Sequence, residues 1–372
     1  MRSPSALAGH LGTLALPRRR EQAPLRFCDP VVGQTDPRYT PLVAKLASWH
    51  GGPMSSASRI CVTAPASIGN VAAGFDVLGM ALQPQTPGIW RDRVTVTYAD
   101  CDALTIEGRF ASAVPGHPDE NLCMIAARLV RQRLSLDDVA LSVTLDKGLP
   151  AGSGLGSSSA SAVAAAVATC ELLDPGRSRT KRILQVLDIA RQTEAHATGA
   201  GHLDNVAPCL LGGLQLLTPL GPRAVAWPAE LLLVVASPDF AVKTRDARAV
   251  LPQQVSAQLA VEHASNLAGL ILALQTHDFL LIQATLRDLL AEPHRAALVP
   301  GFAQAKAGAL AAGALGCSLS GAGPAVFAVC QAAKVEAVSV ALANGFTAYG
   351  HSADAQVCQA AQLGAIDRIE RL

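Results

Sequence analysis

The run Leu149-Pro150-Ala151-Gly152-Ser153-Gly154-Leu155-Gly156-Ser157-Ser158-Ser159-Ala160-Ser161 leads without a break into Ala162-Val163-Ala164-Ala165-Ala166-Val167-Ala168, and it constrains the chain more than any other stretch. Glycines let the backbone turn tightly, and the alanine-rich run after them favours helix. Such a turn at a helix N-terminus gathers amide N–H groups where the helix dipole is positive, which makes a seat for phosphate. A Walker loop is disfavoured because no lysine follows the glycines. A Rossmann turn is disfavoured too, since Gly152, Gly154 and Gly156 fall every second residue behind antiparallel-looking strands.

At 372 residues, half of them hydrophobic, the chain can bury a sizeable core and suggests two domains. Lys plus Arg total 30 against 29 for Asp plus Glu, so no charge excess points to nucleic acid or a membrane surface, and small molecules are the expected partners. The nine cysteines show no C-x-x-C pair, which fits buried thiols in a reducing cytoplasm. The longest apolar runs fall short of the roughly 20 residues that span a bilayer.

Residues 1–57 read as a disordered N-terminal extension, rich in Pro and Gly and carrying Arg18-Arg19-Arg20. Met54, just ahead of the first strand-like segment, is the expected true start of translation. Arg59–Ala64, Arg93–Tyr98 and Leu141–Leu145 read as strands, and 121–133 and 180–197 as helices. Asn70 and Asp76 stand in a loop of small and apolar residues where, taken alone, they are turn formers. Gly212-Gly213 and Leu214–Leu217 close the first half, and the Pro- and Gly-rich stretch 219–228 reads as an interdomain crossing. Beyond it come a strand at 231–236 and helices at 254–275, 279–290 and 302–312. Strands at 317–319 and 325–330, a helix at 334–344 and a strand at 347–350 complete the chain. Helices against one face of an antiparallel sheet make this an α+β chain.

Pro150-x3-Gly154-Leu155-Gly156-Ser157-Ser158 is similar to the phosphate loop of the GHMP kinases, which act on galactose, homoserine, mevalonate and phosphomevalonate. Ala64-Pro65-Ala66-Ser67, Asn70 and Gly74-Phe75-Asp76 resemble a second motif of that family, and Ser318-Leu319-Ser320-Gly321-Ala322-Gly323-Pro324 a third. Within it, Gly74–Gly79, His202–Pro208 and Thr244–Arg248 are most similar to the homoserine kinases. One departure is Gly69, where the family more often has Ala before the Asn.

The resemblance implies a two-domain GHMP kinase fold. Residues 58–222 would form an ATP- and Mg²⁺-binding domain like domain 2 of ribosomal protein S5, and 223–372 a ferredoxin-like α/β sandwich completing the substrate site. It implies ATP-dependent phosphorylation of the L-homoserine hydroxyl, a step toward threonine, in the cytoplasm, with a homodimer allowed. The alternatives are another small-molecule kinase of the family or a non-catalytic nucleotide-binding protein of the same fold.

By the same resemblance ATP would lie on Pro150, Gly152, Ser153, Gly154, Leu155, Gly156, Ser157, Ser158, Ser159 and Ala160, with Gly321 and Gly323 closing the site and Asn121 near the adenine. Ser158 and Glu194 would hold Mg²⁺, which takes oxygen ligands. Asp76 suits the acceptor's ammonium, Arg248 and Arg295 its carboxylate, and Asn70, His202 and Asn205 its orientation. In several sister kinases an Asp takes the acceptor proton at the position of Asn205, and an amide cannot do so effectively. Catalysis by in-line positioning is therefore expected, with His202 assisting and Asp204 as the second choice for proton acceptor.

Overall fold

Alternating apolar side chains in 93–98 and 141–145 give each segment one buried face, and both are strands. The computed structural model describes residues 58–199 and 201–372; the expectations of a disordered extension at 1–57 and of a start at Met54 lie outside the described residues. The first half comprises β1 (Arg59–Pro65), β2 (Ser67–Gly69), β3 (Leu78–Pro84), β4 (Arg91–Tyr98), β5 (Ala103–Glu107), α1 (Leu122–Leu134), β6 (Leu141–Lys147), α2 (Ser157–Leu173), α3 (Arg179–Thr198), α4 (Val206–Leu211), β7 (Leu214–Thr218) and β8 (Gly221–Val225). The second half comprises β9 (Leu231–Pro238), α5 (Thr244–Ala249), α6 (Ala257–Thr276), α7 (Phe279–Thr285), α8 (Glu292–Arg295), α9 (Phe302–Ala311), β10 (Gly316–Leu319), β11 (Val326–Gln331), α10 (Val335–Thr347), β12 (Ala353–Ala360) and β13 (Ile369–Arg371).

Among the described residues the strands form two sheets. One runs β13-β1-β4-β6-β5, antiparallel except for the parallel β5–β6 pair. The helix α2 crosses it and also packs on α1 and α3. A helix apolar all round must be buried all round, and every residue of α2 except Ser158 is buried. Ser158 is thereby singled out as the position that faces solvent.

The second sheet runs β10-β11-β9-β12-β3-β7-β8, with β2 paired to β3. β9 and β11 are buried on both faces. Leu233 and Val235 of β9 join Phe327 and Val329 of β11 in one core with Leu270 and Leu274 of α6. Val234, Ala236, Val326 and Ala328 point the other way, onto Phe302 of α9 and Leu342 and Phe346 of α10. The single helical layer expected from sequence is thus corrected to helices on both faces, which the unbroken apolar runs of β9 and β11 demand.

Three local expectations also change. The stretch 219–228 holds β8, which forms a hairpin with β7 in the register Leu214↔Val225. No strand occupies 347–350; α10 continues to Thr347 because Phe346 is wholly buried beneath it, and the strand is β12, eight residues long. The helix read at 279–290 ends at Thr285. The twenty-residue α6 is long and apolar enough to cross a membrane by length and composition, yet it docks on the sheet through Leu270, Ala273 and Leu274. The eight described cysteines are free, and all but Cys101 are buried.

Phe327, on β11 of the second sheet, is fully buried. Phe327→Ala is expected to lower stability by about 3–5 kcal/mol, read as a shift in the urea midpoint with unchanged slope.

Candidate active site

After β6 the chain turns through Gly152, Gly154 and Gly156, all at positive φ (66°, 82° and 66°), and Gly156 caps α2. A Cβ on Gly156 would lie 2.0 Å from Ser67 Oγ, so only glycine lets the loop lie against β2. Neighbouring backbone pins the loop. Ser67 N donates to Leu155 O at 3.0 Å, Val242 N to Gly152 O at 3.1 Å and Ala325 N to Ser153 O at 2.9 Å. Ser320 Oγ donates to Gly154 O at 2.6 Å.

These contacts build one cleft, lined by Gly152, Ser153, Gly154, Gly156, Ser157, Ser158 and Ser159 on one side and by Gly321, Ala322 and Gly323 on the other. Of the expected nucleotide contacts, Pro150, Leu155 and Ala160 do not line it. Leu155 and Ala160 are wholly buried in the core, and the Pro150 carbonyl accepts from Ser153 Oγ at 2.8 Å. Asn121 lies elsewhere: it caps α1, accepting from Cys123 N at 3.0 Å, and lines an adjoining cavity shared with Val114, Pro115 and Leu145. That cavity also reaches Gly152, Ser157 and Ser158, so the two spaces meet at the loop.

Glu194, in the last turns of α3, lines the cleft with Ser158. Its Oε1 accepts from Ser159 Oγ at 2.8 Å. Burial pushes the carboxyl up to about 7, against the opposing pull of Ser159 and the Lys147 charge. A cation beside it would restore the charged form. Carboxylate and hydroxyl oxygens on one wall are the donors a hard divalent ion takes, the remaining positions going to phosphate and water. No cluster of three or more His, Cys, Asp or Glu able to hold a metal occurs among the described residues.

The far end of the cleft is ionic. Asp76 receives both arms of Arg248, Nη1 to Oδ2 at 2.8 Å and Nη2 to Oδ1 at 2.5 Å, and His202 Nδ1 lies 3.6 Å from Oδ1. Burial holds His202 below its usual value, the Asp76 charge opposing, so the ring stays neutral near pH 7. Its Nε2 is buried without a hydrogen-bond partner, as is Nε of Arg248. Arg295 is 2% exposed, its Nε donating to Ala247 O at 3.1 Å and Nη1 to Gly321 O at 2.8 Å. Both guanidinium groups sit over Phe75, at 5.3 and 5.4 Å from the ring centre. Asp76 is presented by a strained loop: Asn70, Val71, Ala72 and Asp76 all have positive φ. Asn70 braces it by accepting from Asp76 N at 3.1 Å.

Asp204 and Asn205 enter the cleft at the start of α4. Ser67 Oγ donates to Asn205 Oδ1 at 2.9 Å, which fixes the amide. A Cβ on residue 69 would fall 2.4 Å from Asp204 Oδ2 and 2.7 Å from Asn205 Nδ2. The unusual Gly69 is therefore what makes room for this pair. Burial first, then the charges of Asp76 and Glu194, push the Asp204 carboxyl up to about 7.

All the expected acceptor-side residues, Asn70, Asp76, His202, Asp204, Asn205, Arg248 and Arg295, line this one cleft. Sequence reasoning missed Val242 and Thr244, which also line it, and Ser67 and Ser320, which hold the loop. It also missed the buried Asp92–Lys147 pair beneath the loop. Ser67, Thr244 and Ser320 carried a signal, since all three lie inside quoted motifs.

The model of the GHMP kinases N terminal domain matches residues 121–213, and that of the GHMP kinases C terminal matches 270–348. Among solved structures, a homoserine kinase from Cytophaga hutchinsonii is 33% identical with a TM-score of 0.75, the match covering 87% of this chain and 99% of that one. A candidate homoserine kinase from Listeria monocytogenes is 25% identical with a TM-score of 0.61, covering 84% and 98%. The fold extends to a mevalonate kinase from L. major, solved with R-mevalonate, at 16% identity and a TM-score of 0.58, covering 84% and 99%.

Asp204 keeps its proton up to about 7 in the folded chain, against an ordinary value of 3.8. Between those values the native state holds more protons than the unfolded one, so stability falls as pH rises through the window. Asp204→Asn removes this titration. The slope of unfolding free energy against pH, from urea melts of ligand-free protein, is expected to be shallower in the variant.

Proposed function

The chain belongs to the GHMP kinase family, and on that premise we propose that it transfers the γ-phosphoryl group of ATP to the side-chain hydroxyl of L-homoserine. As a member of that family it is a small-molecule kinase. The observation that carries the choice of acceptor is the ionic end of the cleft, where Asp76, Arg248, Arg295 and neutral His202 converge. An amino acid brings both an ammonium and a carboxylate. Asp76 can take the first and the arginines the second, whereas an uncharged sugar would leave these groups desolvated with nothing gained. The similarity to two proteins described as homoserine kinases favours the same acceptor.

ATP would lie with its phosphates on the amides of Gly154 and residues 156–159 and its base toward the cavity beside Asn121. Glu194 and Ser158 are the residues that would hold Mg²⁺, which when bound supplies charge neutralisation for the phosphates. Asn205, fixed by Ser67, orients the acceptor hydroxyl in line with the γ-phosphorus. The hydroxyl oxygen bonds to phosphorus as the bond to the leaving ADP oxygen breaks. Its proton goes to a phosphate oxygen, since the Asn205 amide cannot hold it. What the chain contributes is position, exclusion of water and fixed charge.

The test is ADP release with homoserine, mevalonate, galactose and shikimate as separate acceptors. Turnover with homoserine alone is expected, and its absence would overturn the assignment. ATP binding with no turnover on any acceptor would favour a non-catalytic nucleotide-binding protein instead. Glu194→Gln is expected to lower kcat by about 100-fold or more in the homoserine assay.

A further inference from the structure

The phosphate loop has no lysine of its own, yet one lies directly beneath it. Lys147 ends β6 and is 1% exposed; Asp92, its register partner on β4, is wholly buried. The two side chains form an ion pair. Taking two charges out of water costs several kcal/mol per ion unless the remaining lone pairs and protons are also satisfied. Here they are. Lys147 Nζ donates to Ser157 O at 3.0 Å and to Ser161 Oγ at 2.9 Å, besides Asp92. Asp92 Oδ1 accepts from Gly148 N at 3.2 Å and Leu149 N at 3.1 Å, and its Oδ2 from Ser161 Oγ at 2.6 Å.

The groups reached are not scattered. Gly148 and Leu149 are where the loop begins, and Ser157 and Ser161 form the first turn of the helix into which it runs. One buried network therefore grips both ends of the loop, while the residues between them carry the amides that face the cleft. Its two charges cancel and neither oxygen of Asp92 is left over, so the lysine is held as a strut.

We propose that Asp92 and Ser161, acting through Lys147, are positioning residues for phosphate: they fix the separation of the loop's ends so that its amides are aimed before nucleotide arrives. This rests on the nucleotide-binding reading of the cleft but not on the identity of the acceptor. Preorganised donors bind without reordering the chain, and a loop freed at its ends would lose part of its phosphate affinity to that ordering cost.

The test uses the full chain without any acceptor and compares adenosine, ADP and ATP as displacers of a fluorescent ATP analogue. Ser161→Ala removes a single hydroxyl and is expected to weaken ADP and ATP by about three- to tenfold, the range of one lost hydrogen bond. Asp92→Asn is expected to weaken both by about tenfold or more, since it breaks a buried pair. Lys147 and Ser161 also line the cavity toward which the base would lie, so adenosine is expected to weaken as well, but by less than about half the factor lost by ADP and ATP, a selectivity for phosphate that general loss of structure would not produce. If Lys147 instead served phosphate as a free charge, Asp92→Asn would release it and tighten ATP. Tighter or unchanged ATP binding in Asp92→Asn, or equal losses for adenosine and ATP in folded Ser161→Ala, would overturn the proposal. Failure of the parent protein to bind ATP would sink the nucleotide reading and this proposal together; turnover on a different acceptor would leave this one standing.

Discussion

The hydrogen bond from Ser320 Oγ to the Gly154 carbonyl is the contact on which the site depends, because it joins turns 166 residues apart. Gly321 N reaches Gly69 O at 3.2 Å beside it, so the three glycine-bearing turns of the two halves meet within a few ångströms. Each turn alone is a loop with unsatisfied polar backbone, which would be costly to bury. Brought together they satisfy one another, and the groups left facing the cleft include the helix N-terminus, Glu194, Asp76, His202 and the two arginines. The positive φ values of the loop glycines follow from this packing, since a Cβ at Gly154 would lie 2.6 Å from Ser320 O.

Burial sets the electrostatics at three of the charged groups of the cleft, Glu194, Asp204 and Arg295. Asp204 and Glu194 are pushed up to about 7 by burial, and Arg295 is held below its usual value by burial and by Arg248 beside it. Charges in such a place cost desolvation energy, which the fold offsets by pairing Asp76 with Arg248 and by stacking both guanidinium groups on Phe75.

The loop at 149–161 was legible in the sequence because its signal is local: glycines, hydroxyls and a helix-forming run follow one another within the twenty residues 149–168. The residues of the ionic end of the cleft could be brought together from sequence only through motif resemblance, since a single Arg248 or His202 has no local pattern to mark it. Asp92 and Lys147 were invisible. They are 55 residues apart, and only the register of β4 against β6 makes them neighbours. The strand β12 was missed because Asp354, Gln356 and Gln359 dilute its apolar pattern, and a strand was read instead at 347–350, where Thr347 and Tyr349 favour extended backbone. Tertiary packing of Phe346 overrode that local preference.

The order β10-β11-β9-β12-β3-β7-β8 has a mechanical corollary. β12 from the end of the chain is paired on one side with β9 and on the other with β3 from its beginning, in the register Cys358↔Pro84 to Ala360↔Leu82. The two halves that form the walls of the cleft thus share a seam of continuous hydrogen-bonded backbone. Opening them like a jaw would shear that seam, which loops above it need not do.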